Sequence, residues 1–398
     1  MILALTVLAV VILILVWLRL DFIGGMKVQK SEAHKRTQHT RQGHVSLLPT
    51  GDEVFRTMFQ DIEQAKSHIH VLFYIFKDDS ISTKMANLLK EKAKQGIEVR
   101  LLVDRMGSKL SKKSIQQLKN AGVSFAYSHP IQWPYLFFTF NRRNHRKITI
   151  VDGKIGFVGG YNVGDEYLGR DPKFGPWRDF HLRIEGDGVQ DLQEQFLEDW
   201  RVATNKELKS DRYYPNLKQG PIPLRILPTD GVFLEETFID LIRQAKTTIT
   251  IGTPYFIPGK ALQGELMAAA KRGVAVRLLV PKQGDHPLVK EAAFPYFHEL
   301  LEAGVEIYRY YRGFFHAKVV VIDRQVCDIG TANFDKRSFH INHEINCLIY
   351  DPDFIKAVEN EVEHDFSISE RLTMKQLEKR SLFHRGKERV GTMISGLL

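Results

Sequence analysis

Two copies of one short pattern contain the residues with the clearest chemistry. Each copy reads His-x-Lys-x4-Asp, and an Asn follows each His at the same distance. Two His, two Lys and two Asn from a duplicated unit indicate one phosphate site at a pseudo-twofold interface. The first copy has His145, Lys147, Asp152 and Asn162, and the second has His316, Lys318, Asp323 and Asn333.

The residue types suit a phosphodiester substrate. Two Lys ammonium groups and two Asn amides can hold its oxygens, and their attraction persists in the charged transition state. One imidazole can attack phosphorus while the other protonates the leaving alcohol, because the pKa of imidazole lies near neutral pH. We expect neither a metal nor another cofactor, because the Lys in each motif would place a cation beside a metal ion.

Each motif stands at the head of a strand-like run, at 147–151 and 318–322. Side chains at positions i and i+2 of a strand share a face, so the His and Lys of each copy should point the same way. Asp152 and Asp323 complete the predicted catalytic motifs. They fall where the strands end, a position that also suits structural partners of nearby cations.

The duplication extends beyond the motifs, as expected for an internal repeat. Strands alternate with helical stretches such as 82–95 and 261–272, which predicts an α/β architecture. We expect two similar halves that pack together and each supply half of the site, so a monomer could be complete whatever its oligomeric state. The matched segments are 64–66 with 244–246, 96–103 with 273–280, and 121–123 with 303–305.

The motifs and their surroundings resemble the phospholipase D superfamily, whose signature is this duplicated motif, and within it the bacterial cardiolipin synthases. The resemblance covers nearly everything from about Val45 to the C terminus. It implies two phospholipase D-like halves, each a mixed β-sheet flanked by helices, packed with pseudo-twofold symmetry. The segments that carry it are 141–147, 159–162, 253–258, 330–335 and 337–339.

The function that this resemblance implies is cardiolipin synthesis. A phosphatidyl group would pass from one phosphatidylglycerol to another through a phosphohistidine, with release of glycerol. The resemblance favours His145 as the nucleophile and His316 as acid and base, whereas the symmetry of the sequence leaves the two roles open. Each imidazole needs a partner on its other nitrogen, and Asp179 and Glu344, at comparable places after the motifs, are the predicted orienting carboxylates.

Three other functions would use the same residues. With water as the acceptor, the protein would be a phospholipase D that releases phosphatidic acid. A nuclease of the same superfamily would also suit a basic chain, although the apolar N terminus and the aromatic segments argue against it. A silent membrane protein that binds acidic lipids is the alternative outside the enzymes, and the complete motifs in both halves argue against it.

The composition is that of a folded, basic protein. Of 398 residues, 43% are hydrophobic and 26% are charged, and the net charge is +9 with a pI of about 9.3. A basic protein favours anionic partners, and the N-terminal segment directs this expectation to phosphatidylglycerol and other acidic phospholipids instead of nucleic acid. Cys327 and Cys347 lie in apolar runs without disulfide or metal spacing, which predicts buried free thiols.

The N-terminal segment predicts a membrane anchor. Residues 2–18 carry no charge, and a helix of that length spans about 26 Å, close to the hydrocarbon thickness of a bilayer. Neither a basic stretch before it nor a small-residue cleavage site after it indicates a signal peptide. The basic residues that follow predict a single pass through the bacterial cell membrane, with the catalytic part on the cytoplasmic face. They are Arg19, Lys27, Lys30, Lys35, Arg36 and Arg41.

Three further segments have compositions that suit contact with lipid. The aromatic segments 133–140 and 308–315 are predicted to lie at the bilayer surface, with core packing as the alternative. The basic tail fits either an interfacial amphipathic helix or a solvated segment. The predicted divisions are a transmembrane anchor (1–20), a basic linker (21–44), half 1 (45–205), half 2 (206–370) and the tail (371–398).

Overall fold

The computed structural model describes residues 1–33, 39–285, 288–379, 382–393 and 395–396. Within this part of the chain, an N-terminal helix precedes two α/β halves that repeat the same order of strands. The predicted fold class of two similar halves with mixed sheets is confirmed.

Half 1 alternates helices and strands as the repeat predicts. Its elements, with the N-terminal helix, are α1 (Ile2–Glu32), β1 (Arg41–Leu48), α2 (Gly51–Glu63), β2 (His68–Phe73), α3 (Ser80–Lys94), β3 (Glu98–Asp104), α4 (Lys112–Asn120), β4 (Ser124–Ser128), α5 (Leu136–Asn141), β5 (Ile148–Val151), β6 (Ile155–Gly159), β7 (Trp177–Arg178), β8 (His181–Gly186) and α6 (Gly188–Thr204).

Half 2 follows the same plan and ends in the tail. Its elements are β9 (Ile222–Asp230), α7 (Leu234–Gln244), β10 (Thr248–Gly252), β11 (Phe256–Ile257), α8 (Gly259–Lys271), β12 (Ala275–Pro281), α9 (Val289–Glu302), β13 (Glu306–Tyr310), β14 (Phe314–Phe315), β15 (Val319–Ile322), β16 (Val326–Gly330), β17 (Phe334–Asp335), α10 (Lys336–His340), β18 (His343–Ile349), α11 (Pro352–Ser367), β19 (Ser369–Arg371), α12 (Met374–Glu378) and α13 (Leu382–Met393).

The strands of both halves join in one ladder with a pseudo-twofold axis at its centre. From the centre outwards, half 1 runs β1-β8-β6-β5-β2-β3-β4, and half 2 runs β9-β18-β16-β15-β10-β12-β13. Strands β1 and β9 pair antiparallel, while β2, β3 and β4 are parallel, as are β10, β12 and β13. The motif strands β5 and β15 therefore occupy equivalent places.

The apolar strands separate three hydrophobic cores. In β15, Val319 and Val321 face a core shared by both halves, and Val320 and Ile322 face the core of half 2 alone. Half 1 has its own equivalent core on the other side. A strand covered on both faces is apolar at nearly every position, which explains the uninterrupted runs after the two motifs.

Helix α1 is longer than the predicted anchor. Its apolar part is unburied and is long and apolar enough to cross a membrane. The helix continues to Glu32 and strand β1 begins at Arg41, so the prediction of a linker over 21–44 is wrong for its helical part and for its end. Lys35 and Arg36 lie outside the described residues.

The second half of α1 stays helical because it packs on the catalytic body. The buried carboxylate of Asp21 accepts a hydrogen bond from the amide of Phe138 in α5 at 2.8 Å. The Gln29 side chain donates to the carbonyl of His340 at 3.1 Å. A Cβ at Gly25 would lie 2.3 Å from the ring of Phe138, so glycine permits this close approach.

The two aromatic segments differ. In 133–140, Trp133 is 78% exposed while Phe138 is buried against α1. In 308–315, Phe314 and Phe315 are buried, and Phe314 packs on Trp177 with ring centroids 4.9 Å apart. The prediction of contact with the bilayer surface is therefore wrong for Phe314 and Phe315, because their rings pack in the core.

The tail is helical and docked. Helix α13 packs on α9, and a Cβ at Gly391 would lie 3.0 Å from the carbonyl of Leu288. The alternative of a solvated segment is wrong for α13. Residues 380 and 394, and the side chains of 382–385, lie outside the described part. Cys327 and Cys347 are buried free thiols, as predicted.

Candidate active site

The two motifs meet at one cavity between the halves. The cavity has a volume of about 700 Å³ and is lined by His145 and Asn162 from half 1 and by His316 and Asn333 from half 2. Strands β5 and β15 begin one residue after the motif lysines. The predicted strand placement therefore brings both motifs to one site.

Backbone hydrogen bonds between the halves fix both His. The amide of His145 donates to the carbonyl of His343 at 2.9 Å, and the amide of His316 donates to the carbonyl of Arg178 at 2.7 Å. The second bond continues the short parallel pairing of β7 with β14. Each His is thus held by the opposite half, at the residue that directly precedes a candidate carboxylate.

The carboxylates cross between the halves. His145 Nδ1 lies 2.9 Å from Glu344 Oε2, and His316 Nδ1 lies 2.5 Å from Asp179 Oδ2. Both carboxylates are fully buried. A carboxylate on Nδ1 directs the Nδ1 proton towards itself and leaves Nε2 for chemistry. The structure brings both predicted carboxylates to the site, and it adds the crossing.

The electrostatics favour neutral imidazoles beside ionised carboxylates. Burial lowers the pKa of His145 to about 4, although Glu344 opposes this. Burial, followed by the charge of Lys318, lowers the pKa of His316 to about 4. Burial would raise the pKa of Glu344, but His145, Lys147 and the hydrogen bond from Thr331 together outweigh burial, and the pKa is lowered. The pKa of Asp179 is lowered in the same way by its cations.

The two motif lysines are buried and each donates to the backbone carbonyl of its own motif His, but their other contacts differ. Lys147 Nζ donates to the carbonyl of His145 at 2.7 Å and lies 5.5 Å from the ring centroid of Tyr74. Lys318 Nζ lies 2.6 Å and 3.0 Å from the two ring nitrogens of His316. Burial lowers the pKa of Lys318 to about 8 and that of Lys147 well below its ordinary value. A bound phosphate would favour the charged form of both.

The two asparagines also differ. Asn162 Oδ1 accepts from the amide of Ile75 at 3.1 Å, and its Nδ2 donates to the hydroxyl of Tyr167 at 3.3 Å. Asn333 is 6% exposed, and its Oδ1 has no hydrogen-bond partner among the described residues. Asn162 is therefore tied into its half, whereas Asn333 retains a buried oxygen without a partner among the described residues.

Asp152 and Asp323 are not at the reaction centre. They lie in the turns after the motif strands, with φ of 56° and 53°. Asp152 accepts from the amides of residues 66–68 at 2.7 to 3.0 Å, and Asp323 accepts from those of 246–248 at 2.7 to 2.9 Å. The prediction of a catalytic role is corrected, and so is that of cation partners, because backbone amides satisfy both carboxylates.

Two hydroxyl residues at the site were not predicted. Thr331 Oγ1 donates to Glu344 Oε2 at 2.6 Å, and Ser338 Oγ donates to Glu344 Oε1 at 2.9 Å. Both lie in segments that carry the resemblance, at 330–335 and 337–339. The signal was a hydroxyl close to the second motif, and only the fold shows which carboxylate it contacts.

Arg146, between the His and Lys of the first motif, joins the halves. It is fully buried and donates to Asp199 of half 1 at 2.6 Å and to Asp230 of half 2 at 2.5 Å. It also donates to the carbonyls of Thr229 and Glu344. Separation of the halves would leave this buried charge with fewer partners, so Arg146 couples the two halves that hold the His.

The arrangement can perform nucleophilic and acid–base chemistry at phosphorus. Both imidazoles line one cavity, and the two motif lysines are buried beside the His of their own motif. Across the described ranges, no group of three or more His, Cys, Asp or Glu side chains is arranged to hold a metal ion.

Comparison with known proteins follows the same division into halves. The family model described as "Cardiolipin synthase, PLD-like domain" matches residues 58–200 and 238–366. One matched segment lies in each half, and together they cover more than half of the chain.

Two relatives and one solved structure match over most of the chain. The minor cardiolipin synthase ClsB of Bacillus subtilis (strain 168) is 44% identical over 393 residues, which are 98% of this chain and 98% of that protein. A cardiolipin synthase of Oceanobacillus iheyensis is 40% identical over 366 residues, 90% of this chain and 76% of that protein. A phosphatidylserine synthase from Haemophilus influenzae Rd KW20 shares the fold, with a TM-score of 0.70 at 16% identity, over 94% of this chain and 100% of that one.

Proposed function

The chain belongs to the family of cardiolipin synthases with phospholipase D-like domains, and from this membership we propose that it joins two phosphatidylglycerol molecules into cardiolipin and releases glycerol. It is a phosphatidyltransferase of the phospholipase D superfamily. The observation that carries the reaction is the pair of His at one cavity, each held on Nδ1 by a carboxylate of the opposite half.

The first half-reaction forms a phosphohistidine. Nε2 of neutral His145 attacks phosphorus of the donor lipid while the bond from phosphorus to the glycerol oxygen breaks. His316 gives its Nε2 proton to that oxygen, and glycerol leaves. Glu344 stabilises the positive charge that develops on the His145 ring.

The second half-reaction reverses these roles. His316, now neutral, removes the proton from the terminal hydroxyl of a second phosphatidylglycerol. The resulting oxygen attacks phosphorus, the bond to His145 breaks, and cardiolipin forms. Two inversions give net retention of configuration at phosphorus. General acid–base assistance of this kind contributes roughly 10² to 10⁴-fold in rate.

Substrate binding raises the pKa of His316, so that the ring takes up from solvent the proton that it then gives to glycerol. The lowered pKa of His316, about 4, leaves its imidazole neutral when the cavity holds no anion. A phosphodiester beside the ring favours the charged form, as any close opposite charge does. Lys147, Lys318, Asn162 and Asn333 hold the phosphate oxygens, so the anion that needs the proton also raises the pKa of its donor.

The enzyme acts at a membrane. The apolar part of α1 anchors it in the bacterial cell membrane as a single pass, and the basic residues after it favour the cytoplasmic face. Trp133, next to the docking site of α1, supports contact with the headgroup layer. Acidic phospholipids are then both substrate and surroundings, and no nucleic acid partner is expected.

The test is thin-layer chromatography of labelled phosphatidylglycerol after incubation with the purified full chain in detergent, without added metal. The wild type should give cardiolipin and glycerol, and His145→Ala should give neither. His298→Ala changes an exposed His of α9 and should behave as the wild type. Phosphatidic acid as the sole product would instead assign a hydrolase, and turnover of no lipid would overturn the proposed function.

A further inference from the structure

The two walls of the cavity differ in charge. Outside the motifs, most cationic side chains that line the cavity belong to half 1, whereas half 2 contributes two carboxylates. The charged lining residues outside the motifs are Lys77, Lys109, Arg143, Glu166 and Lys173 from half 1, and Asp285, Asp335 and Arg337 from half 2. A bound phospholipid therefore meets an asymmetric surface, with its anionic phosphate favoured on one side and neutral hydrogen-bond donors on the other.

One carboxylate of half 2 belongs to a hydrogen-bonded pair. The hydroxyl of Tyr255 donates to the carboxylate of Asp285, and both side chains line the cavity. Tyr255 follows β10 and Asp285 follows β12, so both lie beyond the carboxyl ends of neighbouring parallel strands. The Thr253 hydroxyl donates to the carbonyl of Tyr255 at 2.9 Å and fixes the turn.

The pair departs from the internal symmetry. The repeat aligns 64–66 with 244–246 and 96–103 with 273–280, which places Ile75 opposite Tyr255 and Ser108 opposite Asp285. The His, Lys and Asn of the site are duplicated, but this pair is not. It therefore serves a task that the two halves do not share.

That task lies beside His316. The charge of Asp285 acts on both His316 and Lys318 and opposes the effect of burial on the pKa of each. In the proposed reaction, the departing glycerol and the attacking glycerol hydroxyl both exchange a proton with His316. Both side chains of the pair line the same cavity as His316, and that cavity must also hold the glycerol group in each half-reaction.

We propose that Asp285 and Tyr255 bind the vicinal diol of the glycerol headgroup and so select phosphatidylglycerol as donor and acceptor. A carboxylate has about four lone-pair sites, so Asp285 can accept from both hydroxyls of a diol as well as from Tyr255. The negative charge of Asp285 repels the phosphate, which turns that group towards the lysines. This inference rests on the proposed function.

A positively charged headgroup fits the pair less well. An ammonium group would gain from Asp285 but would be repelled by Lys318, on which the charge of Asp285 also acts, and by Arg337, which lines the same cavity. Repulsion by those cations offsets the gain. A neutral diol takes the hydrogen bonds without that cost.

The test is headgroup exchange on phosphatidylglycerol with labelled free alcohols as competing acceptors: glycerol, 1-propanol and ethanolamine. For the wild type, we expect glycerol to be preferred. Asp285→Asn should raise the KM for glycerol about tenfold or more, as loss of hydrogen bonds to a charged group does, and leave the KM for 1-propanol within about twofold. Tyr255→Phe should show the same change at smaller size.

Matched variants separate the role from general damage. Ser108→Ala, at the equivalent place in half 1, should leave the ratio of glycerol to 1-propanol unchanged. Asp285→Glu keeps the carboxylate and should recover much of the preference for glycerol, which also serves if Asp285→Asn folds poorly.

Two results would overturn the inference while leaving the proposed function intact. One is cardiolipin synthesis by Asp285→Asn and Tyr255→Phe with the wild-type preference for glycerol over 1-propanol. The other is a selective loss of ethanolamine transfer in Asp285→Asn, which would assign an amine site. A wild type that transfers no phosphatidyl group to any acceptor, phosphatidylglycerol included, would instead overturn the proposed function, and this inference with it.

Discussion

The two halves of the molecule carry the same motif in different surroundings. At the position between His and Lys, half 1 has Arg146, which is buried with partners in both halves, and half 2 has Ala317, which is buried in the shared core. Arg146 contacts Asp230 and Glu344 of half 2, and Ala317 lies in the core that both halves share. The difference shows that the two copies of the motif keep the same reacting groups. The residue between His and Lys differs, because at the interface one copy forms ion pairs and the other packs in the shared core.

The carboxylates show the same divergence. Asp179 lies against Gly160, where a Cβ would be 2.0 Å from its Oδ1. At the equivalent place in half 2, Thr331 instead donates its hydroxyl to Glu344 at 2.6 Å. In half 1, a glycine leaves space for Asp179, and in half 2, a threonine donates a hydrogen bond to Glu344. Two chemically equivalent His therefore have differently supported partners, which suits one nucleophile and one acid.

The largest expected effect separates the two His. His145→Ala and His316→Ala should each reduce cardiolipin synthesis by about 10⁴-fold or more, as loss of a nucleophile or its partner does elsewhere. A phosphatidyl substrate with a p-nitrophenol leaving group needs no general acid. His316→Ala should therefore regain a burst of p-nitrophenol and a trappable phosphohistidine, measured by rapid quench, and His145→Ala should not. Rescue of His145→Ala instead would exchange the two roles.

The next effect tests the crossing. Glu344→Gln and Asp179→Asn should each lower kcat by roughly 10² to 10⁴-fold, the size of acid–base effects. Because Glu344 acts through His145, combining Glu344→Gln with His145→Ala should cost little more than His145→Ala alone. Combining Glu344→Gln with His316→Ala should lower kcat clearly further than His316→Ala alone does. Equal coupling of Glu344 to both His, measured by double-mutant cycles, would contradict the crossed arrangement.

A smaller effect concerns acid stability. The pKa of each site His, about 4 when folded, lies below its value of roughly 6.5 when unfolded. The unfolded chain binds more protons in this interval, so stability is full above pH 6.5 and decreases as pH falls towards 4. Each His contributes at most about 1.4 kcal/mol per pH unit. His316→Gln should flatten the dependence of the denaturation midpoint on pH, and an unchanged slope would show that His316 does not contribute.

The smallest effect concerns the turn carboxylates. Asp152→Asn and Asp323→Asn should each lower the free energy of unfolding by about 1 to 3 kcal/mol, because charged hydrogen bonds to backbone amides weaken. Asp323 also accepts from the hydroxyl of Thr247 at 2.8 Å, so its variant should lose slightly more. Below the unfolding transition, kcat should stay within about twofold for both. A collapse of kcat in a folded variant would return these residues to the reaction.

The sequence predicts what depends on neighbours along the chain and fails where contacts join distant segments. Strands β5 and β15 follow from apolar runs, and the repeat predicts two equivalent halves. The crossing of Asp179 and Glu344 depends on how the halves meet, which no spacing contains. Likewise, Asp152 and Asp323 belong to a conspicuous motif, yet in the fold they accept hydrogen bonds from the backbone amides at the start of strands β2 and β10. The polar and basic composition of 21–44 predicted a linker, but in the fold the side chains of Asp21 and Gln29 are buried and hydrogen-bonded to the catalytic body.

The docking of α1 has a consequence for how the enzyme meets its lipids. At 1.5 Å per residue, the 20 residues before Asp21 rise about 30 Å, which is the thickness of the hydrocarbon layer. If they fill that layer, α5 is held at the water boundary at fixed height and rotation, without a swinging tether. Both lipids must then arrive by lateral diffusion. Turnover should follow the mole fraction of phosphatidylglycerol in the surface, and dilution of the vesicles in buffer should leave it unchanged.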